Sequence, residues 1–174
     1  MRCFIAVNIP KEIKDYLADI ILQLDKQNHQ VKIKWVEQEN IHLTLTFLGE
    51  ITDKQAALLL ENLIEIKFEP FIVNLDNISA FPNIDQPRVL KIGIMDKTGQ
   101  LRQINSEIKQ LLPKLKIAFD DKPFSSHLTL GRMRDGESRV NLKINVEPLS
   151  FQISNFDLMK SQLTPTGPIY TKLN

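Results

Sequence analysis

His42-Leu43-Thr44-Leu45 alternates polar and apolar side chains, and His127-Leu128-Thr129-Leu130 repeats the pattern 85 positions later. Alternation of this kind marks a strand with one buried face. In such a strand His42 and Thr44 share a face about 6.6 Å apart, while Leu43 and Leu45 point into a core. His127 and Thr129 do the same in the second copy. Two of the three histidines of the chain are thus committed to one duplicated pattern.

Working outward, the repeat is longer than its motif. A strand-like run, Arg2-Cys3-Phe4-Ile5-Ala6-Val7, precedes the first copy, and Arg88-Val89-Leu90-Lys91-Ile92-Gly93-Ile94 precedes the second. A helical pattern follows each. Ile13, Tyr16, Leu17, Ile20, Ile21 and Leu24 recur at spacings of three and four, as do Leu101, Ile104, Ile108, Leu111 and Leu112. Pro10 suits the start of the first helix and Thr98 the N-cap of the second. Each half closes on a related strand, 69–78 and 147–156, in which Glu, Pro and Asn match in register. The first half carries an extra helix, opened by the capping box Thr52-Asp53-Lys54-Gln55 and running through 56–66. The second half has Arg134-Asp135-Gly136-Glu137-Ser138-Arg139 there, which reads as a loop.

The expected fold is therefore α+β. Two lobes form a duplicated pseudo-twofold unit, with antiparallel sheets lining a central groove and helices packed outside.

That geometry has chemical content. If the two polar faces meet across the groove, two imidazoles and two hydroxyls converge on one small volume. Such a set suits in-line displacement at phosphorus: one imidazole takes a proton from the nucleophile, and the other gives one to the leaving oxygen. Threonine hydroxyls donate to the non-bridging oxygens, where charge grows in the transition state. Imidazoles with pKa values near 6.5 hold both protonation states near neutrality, so no metal and no cofactor is required. A zinc site would need a carboxylate beside the two histidines, and neither motif strand offers one at alternate spacing. A non-catalytic nucleotide-binding module is the reading left if the imidazoles stand too far apart to share a phosphate.

Composition fits an ordinary globular protein, 174 residues long with 43% hydrophobic and 25% charged residues. The net charge of +1 means that a nucleic-acid substrate must be caught locally, not by a broad basic face. Cys3 is alone, which excludes an intramolecular disulfide and favours a reducing cytoplasm; it reads as a small apolar residue in a buried strand. No stretch has the apolar length of a membrane span, and a monomer is the expectation. His29 falls in a polar turn. Trp35 reads as packing at a sheet edge, and Lys32-Ile33-Lys34 as a solvated strand face.

The motifs and their flanks resemble the 2H phosphoesterase superfamily, and within it the bacterial and archaeal RNA 2′,3′-cyclic phosphodiesterases, formerly called 2′-5′ RNA ligases. The resemblance is carried by Arg2-x-Phe4-Ile5-Ala6, Trp35-Val36, Glu39 to Leu45, Phe47-Leu48-Gly49-Glu50, Phe81-Pro82, Pro87-Arg88-Val89-Leu90, Pro123 to Arg132 around His127, and Ser161-x-Leu163-x-Pro165-x-Gly167-Pro168-x-Tyr170. It spans essentially the whole chain and implies one domain over 1–174, with lobes at roughly 1–80 and 88–160. It implies metal-free opening of a terminal 2′,3′-cyclic phosphate of RNA (a tRNA fragment among the candidates) or of a cyclic nucleotide, giving a 2′-phosphomonoester. By the same resemblance His42 is the proton donor, His127 the proton acceptor, Thr44 and Thr129 the phosphate-holding hydroxyls, and Arg132 a further phosphate contact. Cleavage or ligation of 2′-5′ linkages would use the same groups. Two positions depart from the family pattern. Ser126 stands where many relatives have Pro, and Lys91 where an aromatic residue is common. Strict alternation puts Gly131, not Arg132, on the face of His127, so Arg132 reaches a phosphate only if the strand ends, bulges or twists there.

Overall fold

The computed structural model describes residues 1–133, 139–165 and 167–174. In the first half come β1 (Arg2–Asn8), α1 (Lys11–Gln27), β2 (Ile33–Trp35), β3 (His42–Glu50), α2 (Asp53–Leu63) and β4 (Phe71–Phe81). In the second come β5 (Val89–Met95), α3 (Gln100–Lys114), β6 (His127–Met133), β7 (Ser150–Ile153), β8 (Asp157–Leu163) and β9 (Pro168–Lys172). The expected loop lies, from Arg134 to Ser138, outside the described residues.

All pairings are antiparallel, and among the described residues the strands make one curled sheet in the order β7-β4-β5-β6-β3-β1-β8-β9, with β2 added against β6. The two half-sheets join where β3 meets β6, and the joint is self-complementary. Leu43 pairs with Leu128, its own counterpart in the repeat. Val73 likewise pairs with Phe151, its counterpart in the closing segments. Equivalent residues meeting each other at two places are what a pseudo-twofold axis through the sheet demands.

One face of the sheet is dry. Leu43, Leu45, Leu128 and Leu130 are at most 3% exposed and share a single apolar cluster with the buried stripes of all three helices. Burial of each such leucine contributes roughly 1.5–3 kcal/mol. The opposite, concave face is left for His42, Thr44, His127 and Thr129, all only partly buried. The helices therefore fix which way the motif strands face.

Helix starts follow local chemistry. At α2 the Gln55 backbone N–H donates to Thr52 Oγ1 at 3.1 Å, and the Thr52 N–H donates back to Gln55 Oε1 at 3.0 Å, which completes the expected capping box. At α3 the N-cap is Gly99 in a left-handed conformation, not Thr98. Asp96 does the capping instead. Its carboxylate accepts from the N–H groups of Thr98, Gly99 and Leu101 at 2.8–3.1 Å, satisfying donors that a single Thr hydroxyl would leave open. The second closing strand is regular only over Ser150–Ile153, where it pairs with β4.

Candidate active site

The five residues singled out by the sequence, His42, Thr44, His127, Thr129 and Arg132, all line one cleft of roughly 1030 Å³. The antiparallel register around Leu43 and Leu128 places His42 toward Thr129 and Thr44 toward His127. Each imidazole thus stands beside the other motif's hydroxyl.

Arg132 reaches this face through a bulge. β5 pairs Lys91 with Thr129 but Leu90 with Gly131, so Leu130 is the extra residue. The insertion reverses parity, and Arg132, opposite Val89, returns to the cleft side. The first motif does the same: Ala6 pairs with Thr44 and Ile5 with Thr46, leaving Leu45 over. Phe47 is thereby the counterpart of Arg132, and it too lines the cleft, 46% exposed. The carbonyl freed by the first bulge is satisfied from α3, where the buried Asn105 donates Nδ2–H to Leu45 O at 2.7 Å and to Thr46 Oγ1 at 3.2 Å. In the second copy the residue matching Thr46 is Gly131. A Cβ there would lie 2.8 Å from Ile33 Cγ2 and 2.8 Å from Trp35 Cε3. Glycine lets β2 and its indole close over the bulge.

Both rings are held in one tautomer. His42 Nδ1 lies 2.6 Å from Asn40 O, and His127 Nδ1 lies 2.7 Å from Ser125 O. A carbonyl only accepts, so each Nδ1 carries the hydrogen and donates, and each Nε2 is left for the cleft. The carbonyl sits two residues upstream in both motifs, which gives the repeat a third shared element. The approach to His127 is pinned further: Ser126 Oγ donates to Ile94 O at 2.8 Å and Ile94 N–H donates to Ser126 O at 3.0 Å. Ser126 therefore leaves no slack in the approach to His127.

Aromatic rings enclose the imidazoles. Phe4 lies 4.8 Å from the His42 ring, and Tyr170 meets its edge at 5.1 Å. Asn40 Nδ2–H donates to Pro168 O at 3.0 Å and ties β9, and with it Tyr170, to the first motif. Phe81 meets His127 at 5.5 Å, and the Lys91 ammonium rests 3.6 Å above the Phe81 ring. Lys91 thus joins the ring cluster as a cation.

Burial pushes both imidazole pKa values below the ordinary His value of 6.5. The carbonyl hydrogen bonds work against that shift. Nearby cations reinforce it, Lys14 and Arg132 at His42, and Lys91 and Arg132 at His127. The two imidazoles also lie close enough for the charge of His127 to depress His42. Burial raises the Tyr170 phenol, with Arg132 and Arg2 opposing. Cys3 is buried in β1, its thiol pushed up chiefly by burial, and His29 is exposed with Nδ1 at 3.3 Å from Lys26 O. No group of three or more His, Cys, Asp or Glu side chains able to hold a metal ion occurs among the described residues. Among the same residues no helix is long and apolar enough to cross a membrane.

The sequence named the polar centre and missed most of its frame. The two carbonyls are main-chain groups and leave no trace in residue types. Lys34 is exposed, as read, yet it lines the cleft. Trp35 packs against Gly131 at the sheet edge, as read, donates Nε1–H to Asp25 Oδ1 at 2.7 Å, and also faces the cleft.

Comparison with known proteins gives a family match. The model described as LigT-like phosphoesterase fits residues 7–90 and 92–170. An RNA 2′,3′-cyclic phosphodiesterase of Archaeoglobus fulgidus is 36% identical over 177 residues, covering 99% of this chain and 98% of its own. One from Aeropyrum pernix is 37% identical over 149 residues, covering 82% and 85%. Among solved structures, a Thermus thermophilus protein superposes with a TM-score of 0.80 at 31% identity, covering 100% of this chain and 96% of its own. E. coli LigT complexed with 3′-AMP gives 0.79 at 25% identity, covering 99% and 95%.

Proposed function

This chain belongs to the LigT-like phosphoesterase family, and from that premise we propose that it hydrolyses the terminal 2′,3′-cyclic phosphate of an RNA to a 2′-phosphomonoester, with no metal ion taking part. The observation that carries the reading is the matched pair of imidazoles, each hydrogen-bonded through Nδ1 to the carbonyl two residues before it and lining the same cleft through its other side. The names of the Archaeoglobus and Aeropyrum relatives support this substrate class. The 3′-AMP complex of E. coli LigT supports a nucleotide in this cleft.

In the reaction, water attacks phosphorus opposite the 3′-oxygen. Neutral His127 Nε2 accepts the proton of the water as the new P–O bond forms. The P–O3′ bond breaks, and His42 Nε2–H protonates the departing oxygen, leaving a free 3′-hydroxyl and a phosphate on O2′. Thr44 and Thr129 donate to the non-bridging oxygens, and the Arg132 guanidinium balances the charge that grows there. The environment suits the base directly, because a depressed pKa keeps His127 neutral. The acid must hold a proton despite a depressed pKa, and the negative phosphate supplies what is needed by favouring the charged imidazole once substrate is bound.

The test is incubation with an RNA ending in a 2′,3′-cyclic phosphate, with and without chelator, followed by location of the phosphate in the product. A 2′-phosphate formed at the same rate in chelator is the expected result. A 3′-phosphate product, or turnover abolished by chelator, refutes the proposal.

A further inference from the structure

The two halves of the cleft are alike in backbone and opposite in chemistry. On the β3 side the cross-strand neighbour of Phe47 is Phe4, so that wall is aromatic. On the β6 side Arg132 stands opposite Lys34 on β2 and Val89 on β5, and Val89 stands opposite Phe81. All four residues of this second row line the cleft. Lys34 lies on that side because it pairs with Arg132, whereas its neighbour Ile33 packs toward Gly131.

Two cations directly opposite each other on neighbouring strands repel. Among the described residues neither Lys34 nor Arg132 forms an ion pair, although two carboxylates line the same cleft. Asp120 in the cleft wall is engaged by Lys122 at 2.9 Å. Glu37, in the same wall, is paired with neither cation. A like-charge pair kept without a counter-charge, in the wall of a cleft read as binding a phosphate, is a place for an anion. Arg132 lies three residues along β6 from Thr129, roughly 10 Å at strand rise less the bulge. Its charge depresses both imidazoles, and Lys34 stands opposite it on the neighbouring strand. Lys34 is one step further out.

We propose that Lys34 is a substrate-specificity residue that binds the phosphodiester one nucleotide upstream of the cyclic end, so that the enzyme selects oligonucleotides over cyclic mononucleotides. This rests on the phosphodiesterase reading above. The aromatic wall takes the terminal base by stacking, which every base permits. The basic row takes the backbone, and the asymmetry between the walls sets the direction in which the strand enters.

The experiment compares kcat/KM for a 2′,3′-cyclic mononucleotide and for a dinucleotide ending in a 2′,3′-cyclic phosphate, with wild type, Lys34→Gln and Lys34→Arg. Lys34→Gln should lower kcat/KM for the dinucleotide about tenfold at low salt, the scale of one charge-assisted contact. The mononucleotide should lose less than twofold, so the preference between substrates collapses. The salt dependence for the dinucleotide should fall by about one counterion. Lys34→Arg should keep the preference. Equal losses on both substrates, or no loss on either, overturns the assignment. Binding of a nucleoside 2′-phosphate and a dinucleotide 2′-phosphate, followed by Trp35 fluorescence, reads the same difference without turnover. Wild type that binds the dinucleotide more tightly through Lys34 yet hydrolyses neither substrate would refute the reaction and leave this site standing.

Discussion

Gly131→Ala adds one methyl group where Ile33 and Trp35 of β2 close over β6. Gly131 is not among the glycines with positive φ, so alanine meets no backbone strain and the effect is steric. The new Cβ would stand 2.8 Å from Ile33 Cγ2, 2.8 Å from Trp35 Cε3 and 3.1 Å from Trp35 Cζ3. Carbon contacts are at ease near 3.5–4.0 Å, so about an ångström must be found. The indole cannot pivot freely, because its Nε1–H is bound to Asp25 Oδ1 at 2.7 Å. The cheapest relief is to lift the three-residue β2 off β6, weakening the Ile33–Met133 and Trp35–Gly131 pairings. Overpacking of this kind costs about 1–3 kcal/mol. For a chain of this size each kcal/mol lowers Tm by about 2–4 °C, so a loss of roughly 2–12 °C is expected. Trp35 is the sole tryptophan, and its emission should shift red as the ring is exposed. Because β2 also carries Lys34, the dinucleotide preference should decline together with Tm. A variant melting within about 1 °C of wild type, with unchanged emission, would show that β2 does not close over Gly131.

Other substitutions separate electrostatics from packing. Lys91→Met keeps bulk against Phe81 but removes a cation that depresses His127. The His127 pKa should rise, and the low-pH limb of kcat/KM should move to higher pH; an unmoved limb would remove Lys91 from the site. Arg132→Gln should cost about 10- to 100-fold in kcat/KM, the worth of hydrogen bonds to a charged group. It should also move both limbs upward, since Arg132 depresses both imidazoles; a loss without any shift would place Arg132 away from the rings. Asn105→Leu leaves Leu45 O and Thr46 Oγ1 without their buried donor. Denaturant unfolding should show a loss of about 1–3 kcal/mol, and wild-type stability would mean that water replaces the amide.

The strands carrying His42 and His127 were legible because alternation is set by the pleat, which side-chain polarity reports directly. The capping box at Thr52 was legible because both partners are side chains. Thr98 misled because Asp96, three positions before Gly99, outcompetes a lone hydroxyl by offering two charged oxygens to several N–H groups. The bulges at Leu45 and Leu130 were only half legible. Arg132 required some break in parity, but the extra residue is an ordinary leucine, and Gly131 signals the close approach of Trp35, not a bend. The division of the second closing segment into β7 and β8, like the pairing of Asn40 O and Ser125 O with the rings, depends on where distant backbone lies. Lys34 looked solvated because β2 is short. Only its register against Arg132 turns it toward the cleft.

Two imidazoles acting from opposite sides of one phosphorus are what the mechanism requires, and the pH dependence of kcat/KM on a cyclic-phosphate RNA addresses that requirement most directly. Wild type should give a bell centred below 6.5, since both groups are depressed from that value. His42→Ala and His127→Ala should each lose at least about 10²-fold. Of the residual activities, His42→Ala should lack the high-pH fall, because its acid is gone. His127→Ala should lack the low-pH fall, because its base is gone. A wild-type profile flat from pH 5 to 8, or the same limb missing from both variants, would contradict it.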